Sequence, residues 1–368
     1  MYVLITVDTE SSKRRGKPLP YEQMVYGRVG EECFGIPKII SICNQYGLGA
    51  TFFVSVFEAQ HYGADLIKKT CLDIAEAGHD VQLHTHPNWI YSDWLMWQYP
   101  LERQIELIKR GKEMLCQFLG EPPIAHRAGA FGADFNTLKA LAANAIPIDS
   151  SFFFGYPYCR LTSPPLSKNG ISVISGMQMA ASAIRHSPSA NGVVEIPPTI
   201  FTEIKLGSFK RYRNLDPYTT SLPEMIRVVK QAKERGLKTV VVLLHSFTFL
   251  RMDRDRTRFE PDWKDIKKFD QFCAWLKGEP GIEVVTMKQI ADLESEIRNP
   301  KSAISMSAIR HPKSEIEDDL VPHPGMPYTL MRSFTHFRKS RKNKLVAIFS
   351  LSTGLFLLMF LGWLIGFR

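Results

Sequence analysis

The chain has 368 residues, 45% hydrophobic and 23% charged, which suits one large folded domain or two ordinary ones and excludes a disordered polar protein. Its net charge is +9, but ten basic against four acidic residues fall in 299–368. Most of the basicity therefore belongs to the tail, and no motif for nucleic-acid binding accompanies it. The six cysteines, Cys33, Cys43, Cys71, Cys116, Cys159 and Cys273, are scattered without a Cys-x-x-Cys pair, which argues against a disulfide framework or a cysteine zinc site and suits a reducing compartment.

In chain order, the apolar start lacks a basic leader and reads as a first core strand over 3–7, ending at Asp8-Thr-Glu10. A loop rich in basic residues, Gly and Pro follows over 11–32; its Lys13, Arg14, Arg15 and Lys17 lie near the end of that strand and read as a solvated loop or as partners for a substrate phosphate. Helices are predicted over 37–45, 64–77, 101–119, 135–144, 222–235, 263–276 and 287–297, several of them closed by glycine. Strands are predicted over 50–54, 80–83, 124–127, 148–149, 239–244 and 282–286, with a further strand and turn at Val193-Val-Glu195-Ile-Pro-Pro198. About seven strand–helix units imply a parallel sheet covered by helices, an α/β fold of the (β/α) barrel type, distorted or incomplete, spanning 1–298. Residues 160–214 show no clear helix. Residues 299–343 read as a polar, basic linker. Residues 345–367 carry no charge and are long enough for a transmembrane helix, and the basic cluster before them places the large N-terminal part on the cytoplasmic side of the inner membrane.

Three strand ends carry the chemistry. Residues two apart on a strand share a face, so Asp8 projects with Glu10, and His84 with His86 in Gln82-Leu-His84-Thr-His86-Pro. Carboxylates and imidazoles converging at strand ends suit a divalent ion such as zinc in a hydrolytic centre. His245 follows five apolar residues and stands where a proton donor to a leaving group belongs. Arg127, in Ala-His-Arg127-Ala-Gly129, is suited to hold a carboxylate by a forked bond, and Asp149, in Ile-Asp149-Ser-Ser, to orient an imidazole; either is equally compatible with ordinary salt bridging.

The ordered series Asp8-x-Glu10, Gly49-Ala-Thr-Phe-Phe-Val54, Gly78-His-Asp with His84-Thr-His86, Arg127-Ala-Gly129, Asp149-Ser-Ser151 and Leu243-Leu-His245 resembles the polysaccharide deacetylase family of NodB-homology carbohydrate esterases over roughly 1–298. The resemblance implies metal-dependent removal of N- or O-acyl groups, usually acetyl from amino sugars. It assigns Asp8 as catalytic base, Glu10 and His84 as metal ligands, Arg127 as the arginine that positions the base, His245 as general acid and Asp149 as the aspartate tuning it. Two departures stand out: Thr9 separates the two acidic residues, and the position four after His84 is Asn88, so His86 is taken as the second histidine ligand. The expected partners are an acetylated sugar or glycolipid, a precursor of surface polysaccharide or lipopolysaccharide, the membrane through the C-terminal helix, and glycan-biosynthesis enzymes. The competing readings are an amidohydrolase or deformylase acting on another acyl amide, and a catalytically inactive glycan-binding subunit.

Overall fold

The computed structural model describes residues 1–14, 16–162, 166–174, 192–206, 209–291 and 321–325. Its centre is a nine-stranded sheet. The strands are β1 (Tyr2–Thr9), β2 (Ala50–Ser55), β3 (Asp80–Thr85), β4 (Ala125–Ala128), β5 (Ile148–Asp149), β6 (Ser172–Ile174), β7 (Val193–Glu195), β10 (Thr239–His245) and β11 (Glu283–Val284). A separate antiparallel hairpin, β8 (Ile200–Leu206) and β9 (Phe209–Asn214), occupies part of the region read as having no clear helix. The sheet order is β6-β7-β5-β4-β3-β2-β1-β10, with β11 beside the start of β1. All pairings are parallel except that of β6 with β7. The helices are α1 (Ile36–Gln45), α2 (Ala64–Glu76), α3 (Leu101–Leu119), α4 (Phe135–Ala143), α5 (Leu222–Glu234) and α6 (Trp263–Gly278).

The long strands are apolar on both faces, as parallel strands sandwiched between side-chain layers must be. Alternation splits them into two cores. Val3, Ile5, Val7, Phe52, Val54, Leu83, Val240, Val242 and Leu244 pack in the large core with the helices. Leu4, Phe53, Ala125, Ile148, Val194, Ile196 and Val241 form a smaller one inside the curl of the sheet.

The expected barrel is a curled sheet whose ring no strand ladder closes among the described residues. Between β7 and β10 the seam is bridged by isolated backbone bonds, Thr199 N to Val241 O at 3.0 Å and Leu243 N to Leu215 O at 3.0 Å. The reason is local: Pro197 and Pro198 come one residue after the end of β7, beyond Ile196, and proline has no N–H to extend a ladder.

The compact unit runs Met1–Pro324. Residues 321–324, assigned to the linker, lie against it: Val321 is buried, Thr202 N donates to Pro322 O at 2.8 Å, and His323 N donates to Gln231 Oε1 at 2.8 Å. The closing helix begins at Met287 as predicted and is described to residue 291. Among the described residues no helix is long and apolar enough to cross a membrane. The predicted span 345–367 lies outside the described residues.

Candidate metal centre and catalytic site

The carboxyl ends of β1, β3, β4 and β10 meet inside the curl. Parallel pairing aligns Asp8 with His245 and His84 with Arg127, so residues distant in sequence are neighbours by register. Glu10, His84 and His86 bring one ligand atom each within 4.8 Å of one another. His84 Nε2 lies 3.2 Å and His86 Nε2 2.5 Å from Glu10 Oε2.

The protonation pattern tests whether a cation fits. The His84 ring bonds the Arg127 carbonyl through Nδ1 at 2.8 Å. That bond places the proton on Nδ1 and leaves Nε2 a lone pair aimed at Glu10, the arrangement typical of a metal-ligating histidine. His86 Nε2 is buried and faces the same Glu10 oxygen. A carboxylate and two imidazole nitrogens facing one point therefore call for a positive charge between them. This donor set fits zinc or a related divalent ion. Without the ion, protons take its part. Burial alone would raise the Glu10 carboxyl, but the two imidazoles hold it well below its ordinary range. Burial works against a charged His84, yet Asp8 and Glu10 outweigh it and raise its pKa.

His86 takes its place because of a glycine. An ideal Cβ on Gly129 would lie 2.4 Å from His86 Cε1 and Nδ1, so only a residue without one admits the ring there. Asn88, the alternative ligand, instead offers its backbone carbonyl to Lys13 Nζ. Lys13 also lies over the Trp89 ring, 4.4 Å from its centroid, so this member of the basic loop is engaged with the β3 loop.

Asp8 is clamped. Arg127 Nη1 donates to Asp8 Oδ1 at 2.6 Å, and both side chains are buried. The rest of the guanidinium is satisfied by Thr6 Oγ1, Ser150 O and Ser150 Oγ, and its face lies 4.2 Å from the Phe53 centroid. His245 stands on the rim with its side chain 36% exposed and Nε2 3.8 Å from Glu10 Oε1.

Asp149 is the exception among the expected site residues. Its Oδ1 pairs with His126 Nδ1 at 2.8 Å and with Ser151 Oγ at 2.8 Å, not with His245. Strand parity explains the miss. Arg127 points into the curl, so His126 points to the helix side, and the register sets Asp149 beside His126. There Thr85, His126, Asp149, Ser151 and Glu195 form a second polar group, all fully buried.

Several residues of the site escaped sequence reasoning. Ser246 ties the ends of β1 and β10, its N–H donating to Asp8 O at 2.9 Å and its Oγ to Glu10 O at 3.0 Å. Glu58 accepts the Ser11 N–H at 2.9 Å, one residue beyond Glu10, and burial, then the Glu10 charge, pushes its carboxyl well above the ordinary range. Thr6 and Ser150 seat the arginine. Ser246, beside His245, Ser150, inside Asp149-Ser-Ser151, and Thr6, two before Asp8, carried positional signals; Glu58 depends on packing.

Comparisons place this geometry among known proteins. Residues 33–147 match the family model described as polysaccharide deacetylase, a segment that includes His84, His86 and Arg127. No curated protein matches. A putative polysaccharide deacetylase from Mycobacterium smegmatis is similar in structure with a TM-score of 0.53 at 17% identity, covering 80% of this chain and 90% of that one. The PuuE allantoinase is similar with a TM-score of 0.51 at 13% identity, covering 81% and 91%. At such identities the two structures speak for the fold alone. The matched segment is similar to the polysaccharide deacetylase model, and the curled sheet is an α/β fold of the NodB-like kind that both structures share.

Proposed function

We propose that this protein is a metal-dependent hydrolase that removes an acetyl group from the nitrogen or oxygen of a sugar. The observation that carries the reading is the convergence of Glu10, His84 and His86 on one point, beside a buried Asp8 held by Arg127 and with His245 on the open rim. Glu10, His84 and His86 hold the divalent ion, for which zinc is the best match to one oxygen and two nitrogen donors. When bound, the ion supplies Lewis acidity to the acyl carbonyl and to the attacking water. Asp8 takes the proton from that water as its oxygen attacks the carbonyl carbon. Arg127 holds Asp8 by its Oδ1 and aims it, leaving the second carboxylate oxygen for the water. His245 gives a proton to the departing amine or alkoxide as the C–N or C–O bond breaks, and its exposure leaves it open to substrate. Asp149 takes no direct part.

The substrate is read as a precursor of surface polysaccharide or lipopolysaccharide, by location. The charge-free stretch 345–367 behind a basic cluster is proposed as an anchor in the inner membrane, with the domain facing the cytoplasm beside other glycan-biosynthesis enzymes. The test is divalent metal content and acetate release on the full chain, with acetylated amino sugars and lipid-linked forms. His86→Ala is expected to lose metal and activity together, while Asn88→Ala retains both. Metal retained in His86→Ala would remove the ligand assignment. A second reading, hydrolysis of a non-sugar amide, is favoured by the shared fold with a protein described as an allantoinase. It predicts turnover of cyclic or linear amides without acetate release from any sugar.

A further inference from the structure

The chain leaving Glu10 is tied, residue by residue, to the loops around the metal centre. Ser11 N donates to Glu58 Oε1 at 2.9 Å. Ser12 Oγ accepts from Arg256 Nη1 at 2.6 Å, and Arg256 stands on the hairpin of Leu250–Met252 with Phe259–Pro261, which follows β10 and His245. Lys13 Nζ donates to the carbonyl of Asn88, two residues beyond His86, and lies over the Trp89 ring. One cation therefore reaches the loop after β3 and the other comes from the loop after β10. Those two strands flank β1 in the sheet, so the pair brackets the strand that delivers Glu10.

Arg256 is held against its backbone preference. Its φ is 51°, in the left-handed region, and it is the one charged residue among the four described non-glycine residues with positive φ. Asp253 braces it. The Asp253 carboxylate accepts from Thr257 N at 2.7 Å, Thr257 Oγ1 at 3.0 Å and Arg258 N at 3.1 Å, while Arg256 N donates to Asp253 O at 3.1 Å. Backbone strain fixed by such bracing gathers at ligand clamps.

The contacts of the two cations are a carbonyl, a ring and a hydroxyl, and neither forms an ion pair with a carboxylate among the described residues. The acids nearby are otherwise occupied. Asp253 faces its own turn, and Glu260 pairs with Arg251. Glu58 is near enough to feel Lys13, but burial and then Glu10 hold its carboxyl well above the ordinary range. The sequence is one-sided in the same sense. Residues 11–20 and 246–261 carry eight basic and three acidic residues, whereas 86–100, after β3, has no Lys or Arg and Asp93 as its only acid.

We propose that Arg256 and Lys13 form an anion subsite beside the metal centre for a phosphate or diphosphate carried by the sugar, so that the substrate is a phosphate-linked sugar and not a neutral glycan. This rests on the deacetylase reading above. Two held cations from separate loops suit an anion with several oxygens and about two negative charges, which a phosphate ester or a diphosphate supplies. The same group occurs on nucleotide-linked and on polyprenyl-linked sugars, and the test separates the two.

The experiment uses the full chain loaded with its divalent ion. Calorimetry compares glucosamine with glucosamine 1-phosphate; neither has an acetyl group to lose, so binding is read without turnover. The phosphate is expected to bind about ten-fold tighter or more, with a preference that shrinks as salt is raised. Arg256→Gly and Lys13→Gln are each expected to reduce the preference, and the double variant to abolish it. Glycine takes the left-handed backbone without strain, so Arg256→Gly should melt no lower than the wild type, which separates a missing guanidinium from a collapsed turn. Equal affinity for the two ligands overturns the subsite. So does a preference untouched in the double variant, which then belongs to the ion. UDP-glucosamine and a short polyprenyl phosphate ester of glucosamine extend the comparison: a gain with either that the double variant loses keeps the subsite, and the tighter of the two names its source. Acetate release from the N-acetylated forms is read separately. Arg256-dependent phosphate binding without acetate release keeps the subsite and removes the deacetylase. Acetate release with no preference for phosphorylated sugars does the reverse.

Discussion

Strands β3, β4 and β5 carry two buried polar groups, one on each face, built from adjacent residues. Inside the curl stand His84, Arg127 and Ser150; on the helix side stand Thr85, His126 and Asp149. Each outer residue is next in sequence to an inner one, yet the two groups are chemically opposite. The inner one opens to solvent at His245 and gathers a carboxylate and two imidazoles about one point. The outer one is sealed and largely closed on itself. Thr85 bonds His126, His126 bonds Asp149, and Glu195, its carboxyl pushed well above the ordinary range by burial and then by Asp149, is positioned to share a proton with that aspartate. One face is arranged to bind something, the other to hold strands together. The difference teaches that a motif's chemistry depends on which way one residue points.

The comparison breaks most sharply at Arg127, which joins the inner group to the strand order. Arg127→Met leaves the Asp8 carboxylate buried without its partner, and such losses typically amount to about 3–5 kcal/mol. Chemical denaturation should show a drop of that size together with loss of acyl hydrolysis. A variant as stable as the wild type would mean that the clamp on Asp8 is not formed in solution.

Next in size is Gly129→Ala, which touches the inner group through His86 alone. The methyl displaces the imidazole, and divalent-ion affinity should fall about 10–100-fold, the range seen when the support of a ligand is disturbed. Competition with a chromogenic chelator measures it. Unchanged affinity would point away from His86 and towards Asn88.

Asp149→Asn separates the faces. It should lower stability by about 1–3 kcal/mol through the damaged bond to His126. The pH profile of the remaining activity should keep its shape, because Asp149 does not touch His245. A displaced limb in kcat against pH would return Asp149 to the catalytic group.

The smallest effect concerns Glu195. Its folded-state pKa lies above the ordinary value of 4.5, so the folded protein binds the proton more tightly than the unfolded chain does. The resulting stability is fully present below that ordinary value and is lost as pH rises through the raised one. Glu195→Gln keeps a donor to Asp149 but cannot titrate. Its stability should decline less steeply than the wild type's as pH rises above the usual carboxyl range, measured by thermal melts at a series of pH values.

Much of the molecule was legible in the residues themselves. Glycine-stopped amphipathic helices and apolar strands ending in Asp8, His84 and His245 were readable because helix and strand periods are local properties. The i, i+2 rule also favoured His86 over Asn88, and the structure brings His86 against Glu10. The same rule, applied to His126-Arg127 and Asp149-Ser150, would have separated the two faces, but it needs the register between β4 and β5, which no single strand contains. Local pattern likewise could not show that residues 321–324 return to β8 and α5, since Val-Pro-His-Pro has no periodicity and gains its partners only from Thr202 and Gln231. The sequence by itself therefore determined the strand–helix alternation, the chemical types at the strand ends and the carboxylate–imidazole composition of the centre. Only the tertiary structure decided which face each side chain serves, that Gly129 makes room for His86, and that Pro197 and Pro198 leave the ring of described strands unclosed by a ladder. The physical reason is that propensity and periodicity act within one element, whereas register, close approach and ring contact exist only between elements.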